Sequence, residues 1–364
     1  MSIKLRFALV ALAIAAFSSC AKEKELSDRE IQEKILDAYI QANCPSAQKL
    51  QSGLTLINFE QGSGAIAPGY NDGIYIHYNT YSLDGTCQST TDSIKARMLG
   101  TYDPGIYYGP SLFILNSTCT EGMRELLGKL HQGGSVTAIM PPWLTSSKAS
   151  SSGYSSGGQQ SAVNMIYEIK AGIVVDDVEK FQIDSLESYS KKNFTPKIDS
   201  TAMGWYFRNF THPTGIPAAD TVEAGNSVGV WYVGRLLDGY VFDTNIRDTA
   251  KKYRIYDSSN DYTPLSVTMR ETYNDMTTYG SSATSSDISV GVGGSESLIL
   301  GFVRAIKSMT YADKGVTLFM SGLGYGADGS MSGGKGVPEY AMLRFDIWLA
   351  HPSDTKFPPT RNTK

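Results

Sequence analysis

The chain has four cysteines and four histidines in 364 residues. It contains no C-x-x-C pair, so neither a thioredoxin-like redox centre nor a cysteine zinc site is supported. His77, His131, His212 and His351 are dispersed without metal-ligand spacing, so no metal is expected. Basic blocks are also missing, and a net charge of −4 leaves no electrostatic footprint for nucleic acid. The glycine clusters Gly291–Gly294 and Gly333–Gly336 lack the G-K-[ST] ending of a phosphate loop. Two G-x-S-x-G matches, around Ser155 and Ser227, lack the strand-to-helix context of a nucleophile elbow. No cofactor is implied.

Long apolar runs are scarce as well. The longest opens the chain, Phe7 to Phe17, after Lys4 and Arg6. Its eleven residues fall short of the ~20 that span a bilayer. With Ser18 and Ser19 ahead of Cys20 it reads as an export signal, 1–20, and the small residues before the cysteine resemble a bacterial lipobox. Phe17 departs from that pattern, which has an aliphatic residue three before the cysteine. The expectation is a lipid on Cys20, anchoring the protein to the cell envelope, at the outer membrane, facing periplasm or cell surface; the alternative is an ordinary cleaved signal. In that oxidising setting Cys44, Cys87 and Cys119 are free to pair, though three thiols leave at least one single.

What is abundant points to β structure: 36 glycines, 22 tyrosines and 41% hydrophobic residues, with short alternating runs and Asp-Gly turn signals. The length favours two domains. After a tether, the spacing of Ile31, Ile35, Leu36, Tyr39 and Ile40 predicts a helix over 28–43 with Ser27 as its cap, a helix that must pack on a domain or a partner chain.

A similar block occurs twice. The first holds Ser52-Gly-Leu-Thr-Leu-Ile57, Ile74-Tyr-Ile-His-Tyr78, Leu83-Asp84-Gly85, Glu121-Gly122-Met123 and Val136-Thr-Ala-Ile-Met-Pro141. The second holds Met203-Gly-Trp-Tyr-Phe207, Val228-Gly-Val-Trp-Tyr232, Leu237-Asp238-Gly239, Leu300-Gly301-Phe302 and Gly315-Val-Thr-Leu-Phe-Met320. The expected layout is signal 1–20, tether and helix 21–49, first domain 50–172, linker helix 173–199, second domain 200–351 and tail 352–364. Within the second domain an amphipathic helix is expected over 297–309. An insertion is expected at 246–288, as a flap beside the site or as surface decoration.

The second block resembles FKBP-type peptidyl-prolyl cis-trans isomerases. Val230-Trp-Tyr-Val-Gly-Arg-Leu-Leu-Asp-Gly-Tyr-Val-Phe-Asp243 is similar to the family's V-x-Y-x-G-x-L-x-D-G-x-x-F-D, and Leu298-Ile-Leu-Gly-Phe302 to its V-I-x-G-W. Leu323-Gly-Tyr325-Gly-Ala327 keeps its spacing, and Gly336-Val337-Pro338 with Leu343-Arg-Phe345-Asp-Ile-Trp-Leu349 matches its proline turn and last strand. The resemblance implies an α+β fold of two FKBP-like domains, each an antiparallel sheet wrapped around a short helix, plus the N-terminal helix. It implies Tyr232, Asp243 and Tyr325 as catalytic residues and Phe242, Leu298, Ile299, Phe302, Val337 and Phe345 as substrate-binding residues, with Phe302 in place of the family's tryptophan. The partners implied are proline-containing polypeptides; the oligomeric state is left open.

The first block keeps Tyr78 and Tyr167 but has Gln88 and Ser89 for Phe-Asp, Met123 for the tryptophan and Ser146 near the tyrosine. It reads as a non-catalytic copy. A protein-binding scaffold without turnover is the alternative for the whole chain.

Overall fold

The computed structural model describes residues 26–64, 67–145, 163–202, 204–210, 222, 225–269, 288–290, 298–332 and 335–359. Cys20, Ser146, Ser155, His212 and most of the glycine clusters lie outside them.

Helix α1 (Asp28–Asn43) starts at a capping box: the Ser27 hydroxyl accepts from the Glu30 N–H, and the Glu30 carboxylate accepts from the Ser27 N–H at 2.8 Å. Its Leu36 is fully buried with Ile139 and Cys44 against the outer face of a seven-stranded sheet. That sheet contains β1 (Gln48–Lys49), β2 (Thr55–Glu60), β3 (Gly73–Ser82), β4 (Cys87–Thr90), β5 (Ser111–Ile114), β6 (Ser135–Met140) and β7 (Met165–Val175). Strand order is β1-β2-β6-β7-β3-β4, with β5 on β3. Every pairing is antiparallel. Its inner face wraps α3 (Glu121–Leu127), which buries Met123, Leu126 and Leu127. A short helix, α2 (Ser93–Met98), follows β4.

The same arrangement recurs. Helix α4 (Val178–Asn193) buries Leu186 against Tyr206, Val316 and Leu318 on the outer face of the second sheet. The expected linker is therefore the second domain's counterpart of α1: Leu186 and the buried Gln182 lock it to that domain, Gln182 accepting from the Ser321 N–H and donating to the Tyr340 carbonyl. The second sheet runs β13 (Ile288–Val290), β12 (Leu265–Met269), β10 (Ser227–Leu236), β17 (Leu343–Ala350), β14 (Lys314–Phe319), β9 (Trp205–Asn209), β8 (Ser200–Ala202), with β11 (Val241–Thr244) on β10. Along β17, Leu343, Phe345, Ile347 and Leu349 face the core, as period-two alternation requires. The wrapped helix, α6, is Leu300–Lys307, shorter at both ends than the expected 297–309, because Ile299 has extended backbone and caps it. Phe302, Val303 and Ile306 form its buried face, each worth roughly 1.5–3 kcal/mol of apolar burial.

The insertion also moves. Helix α5 (Arg247–Lys252) and β12 match α2 and β5 of the first domain, each helix following the β4 or β11 hairpin and each strand pairing with the start of β3 or β10. The extra chain thus begins after β12 rather than at 246, and β13 pairs back onto β12. A small hairpin, β15 (Ser330–Ser332) and β16 (Lys335–Val337), precedes β17. The fold is α+β: two domains, each an antiparallel sheet wrapped around a short helix, with an N-terminal helix.

The three described cysteines, Cys44, Cys87 and Cys119, are free thiols. No helix among the described residues is long and apolar enough to cross a membrane.

Candidate functional site

Strand alternation sends Tyr232 of β10, Phe345 of β17 and Phe302 of α6 to the same interior. The Phe302 and Phe345 ring centroids lie 4.9 Å apart, Tyr232 is 5.7 Å from Phe302 and 6.1 Å from Phe345, and Phe242 is 5.6 Å from Phe345. Phe242 reaches this group because a bulge in the β10–β11 pairing, between Gly234 and Arg235, turns it inward. It fits because residue 234 is glycine: a Cβ there would lie 2.7 Å from Phe242 Cζ and 2.9 Å from Phe345 Cε1.

Phe302, Phe345 and Val337 are only 3%, 4% and 2% exposed, whereas Tyr232, Phe242, Leu298, Ile299 and Tyr325 are half-buried around them. Val337 closes one side from the end of β16. Among the described residues nothing accepts from the Ile299 N–H, which precedes the first turn of α6.

The polar edge is made by one short bond. The Tyr232 hydroxyl donates to Asp243 Oδ2 at 2.6 Å. Asp243 keeps one side open to solvent, yet crowding by apolar neighbours raises its carboxyl pKa, an effect countered by the Tyr232 hydroxyl and the Thr244 N–H. Burial, then the charge of Asp243, raises the Tyr232 phenol; the same causes in the same order raise Tyr325. Behind them, Asn245 Oδ1 accepts from the Tyr232 N–H at 2.9 Å and Thr244 Oγ1 donates to the Tyr232 carbonyl at 2.6 Å, fixing the strand.

All nine of the second-domain residues named from sequence therefore lie in or against one cluster. Chemically the arrangement is an apolar floor with a tyrosine–carboxylate edge and, at Ile299, a backbone N–H with no acceptor among the described residues. Among the described residues no group of His, Cys, Asp and Glu could hold a metal ion.

The first domain has the same register without the same chemistry. Ser89 pairs with Thr80 of β3 as Asp243 pairs with Gly234 of β10. Tyr167 faces Thr80 as Phe345 faces Gly234. Gln88 bonds outward to Ser82 Oγ at 2.7 Å, leaving Met123, Tyr78 and Phe113 to fill the interior. An open cavity of about 800 Å³ in this domain lies between His77, Glu60, Glu168 and Lys170. Most of the side chains lining that groove are polar, and it includes none of the second-domain residues named above.

Residues 103–107 of the first domain, which the sequence reading passed over, reach the second. The Tyr240 hydroxyl donates to the Gly105 carbonyl at 2.6 Å, Asp103 pairs with Lys335 at 2.6 Å, and Ile106 forms a β-bridge with Lys335. Tyr107 stacks obliquely on Tyr240 at 5.2 Å and packs against the cluster that contains Phe302 and Phe345. The one sequence signal for this contact was the aromatic density of Tyr102-Asp-Pro-Gly-Ile-Tyr-Tyr108.

No protein-family model and no curated protein matches the chain. Among solved structures, FkpA from Escherichia coli is similar at 21% identity over 48% of this chain and 74% of its own, with a TM-score of 0.28. A peptidyl-prolyl cis-trans isomerase from Pseudomonas syringae is similar at 21% identity over 48% of this chain and 96% of its own, with a TM-score of 0.28. A wheat structure of three FKBP domains is similar at 13% identity over 84% of this chain and 98% of its own, with a TM-score of 0.26.

Proposed function

We propose that the chain is a peptidyl-prolyl cis-trans isomerase acting through its second domain on proline-containing segments of exported or envelope proteins. The observation that carries this is the convergence of Tyr232, Phe242, Phe302 and Phe345 beside the Tyr232–Asp243 hydrogen bond.

Rotation about an X–Pro bond faces ~18–20 kcal/mol because amide resonance must be broken. The twisted amide separates less charge than the planar one, so an apolar floor that excludes water favours it. Phe302 and Phe345 supply that floor, Phe242 and Val337 grip the proline ring, and Leu298 lines the rim. The Tyr325 hydroxyl and the Ile299 N–H hold substrate carbonyls. Asp243 orients Tyr232 and stands near the carbon whose carbonyl rotates. No nucleophile or cofactor is called for.

The envelope setting rests on the opening run and Cys20. Labelling cells with a palmitate analogue, wild type against Cys20→Ala, tests it: label that survives the substitution rules out that lipid site. For catalysis, the full-length chain is assayed on a short prolyl peptide beside Tyr325→Phe and Asp243→Ala. Turnover well above background, reduced by each change, is expected; full turnover in both variants would sink the assigned site.

A second reading, binding without turnover, is favoured by the near-complete burial of Phe302, Phe345 and Val337 and by Tyr107 packed against their cluster. It gains if wild type shows no turnover and Asp243→Ala suppresses client aggregation as well as wild type.

A further inference from the structure

Between the domains lies a cleft of about 490 Å³, within the ~300–1,000 Å³ range of small-molecule sites. One wall is Arg97 and Tyr102 of the first domain; the other is Tyr240, Lys252, Tyr253 and Arg254 of the second. Three cations line it and no carboxylate does among the described residues. Two acids stand close by, since the Tyr240 phenol is raised by burial and then by the charges of Asp103 and Asp238, but neither lines the cleft: Asp103 pairs with Lys335, and Asp238 accepts from the Tyr240 N–H at 2.9 Å. In a protein of net charge −4, this is a local concentration of exposed cations around a concave surface.

One of these cations is braced by its neighbours and another stands on an unusual backbone. The Arg97 guanidinium lies 3.6 Å from the Tyr102 ring centroid, and Tyr102 is itself stacked on Tyr108 at 5.4 Å. The planar group is thus braced on one face, with its N–H edge available for a two-pronged contact. The second feature comes from the repeat. Arg254 has φ of 60°, in the left-handed region, and its counterpart in the first domain is Gly100 with φ of 70°. Both follow a six-residue helix, and the next residue closes the turn in both, Ile255 N–H to the Ala250 carbonyl and Thr101 N–H to the Ala96 carbonyl, each at 2.9 Å. Glycine adopts this conformation without penalty, whereas arginine is strained there. The second domain carries a strained arginine at the mouth of the cleft, and an outlier of that kind points to a use for the side chain.

We infer that this interdomain cleft binds a small, multiply charged anion bearing phosphate or carboxylate groups, through Arg97, Lys252 and Arg254. The site touches the aromatic cluster only through Tyr240, uses none of the residues assigned to the isomerase site, and does not rest on the isomerase reading. Its ligand spans both domains, so occupancy ties them together.

The test is calorimetric titration of the full-length protein with pyrophosphate and with citrate at low salt, alongside Arg254→Gly and Arg97→Ala/Lys252→Ala. Expected is saturable binding of at least one probe that weakens with added salt, and the probe preferred tells phosphate from carboxylate. Arg254→Gly is expected to weaken it roughly tenfold while raising the unfolding temperature of the unliganded protein, since strain is relieved as the charge is lost. Arg97→Ala/Lys252→Ala gives the same loss by a route that leaves the backbone alone. Failure of both probes to bind wild type overturns the assignment, as does affinity unchanged in both variants. Cation-dependent binding of a hexaglutamate peptide with neither small probe retained also overturns it, and gives the cleft to an acidic polypeptide.

Discussion

The Tyr232 hydroxyl donates to Asp243 Oδ2 at 2.6 Å across the β10–β11 hairpin, and the same hairpin in the first domain puts Ser89 near Tyr78 at the position of that aspartate. The two domains thus share a tyrosine beside the matching hairpin residue and differ in whether that residue holds a charge. A serine is a weaker partner for a phenol than a carboxylate and contributes no negative potential at the rim. On this comparison, what the second domain adds is the carboxylate and the ring beside it, Phe242, at the two positions where the first has Ser89 and Gln88.

Tyr232→Phe and Asp243→Asn are each expected to lower kcat/KM three- to tenfold, about 0.7–1.4 kcal/mol for a hydrogen bond to a charged group at a half-open rim. Because both changes remove one shared bond, the double variant should fall hardly further than the worse single. Fully multiplicative losses in the prolyl peptide assay would mean that the two residues act separately.

The raised pKa of Asp243 sets a pH dependence. The ionised carboxylate is the stronger acceptor for Tyr232 and alone carries the negative charge at the rim, so kcat/KM should drop as pH falls through a midpoint above the ordinary aspartate value of about 4, and Asp243→Asn should abolish that limb. For stability the sign is opposite. The folded protein holds this proton to higher pH than the unfolded chain does, so Asp243 costs stability as pH rises from about 4 through its folded pKa. Urea unfolding over that window, wild type against Asp243→Asn, should show a decline in wild type that the variant lacks.

Gly234→Ala tests the packing of the site without touching a polar group. The added Cβ meets the far edges of Phe242 and Phe345 at 2.7 and 2.9 Å, so those rings must shift. We expect a stability loss of about 1–3 kcal/mol by overpacking and at least a tenfold loss of kcat/KM. The first domain carries Thr80 at the matching register, where no phenylalanine competes for the space, and Thr80→Gly should leave activity unchanged.

The hairpin, the wrapped helix and the last strand were legible because each couples a periodic apolar pattern to turn residues that admit one geometry, as at Leu237-Asp238-Gly239. Gln88 and Ser89 were placed correctly for the same reason. Contacts between domains were not legible: the pairing of Asp103 with Lys335 and the seat of Tyr107 depend on where separate elements meet, and nothing local encodes that. The insertion was misplaced because the run after Asp243 has no strong periodicity, so α5 and β12 could not be told from added loop. Neither could the strain at Arg254 be read, since φ is not written in a side-chain pattern.

Helix α4 carries the remaining prediction, because charge and spacing alone made it a linker whereas its contacts make it part of a domain. A fragment starting at 200 would strip Leu186, fully buried, from Tyr206, Val316 and Leu318, and would remove Gln182 from the buried Ser321 N–H. Those exposed apolar groups and the orphaned donor together cost several kcal/mol, a large share of a typical ~5–15 kcal/mol domain stability. A fragment of 176–351 should therefore unfold cooperatively in urea, and one of 200–351 should be markedly less stable or aggregate. In the full chain, Leu186→Ala should cost about 2–5 kcal/mol and lower the second domain's transition while leaving the first domain's in place. If both fragments have equal midpoints, α4 is a linker after all, and the repeat unit is the sheet and its wrapped helix alone.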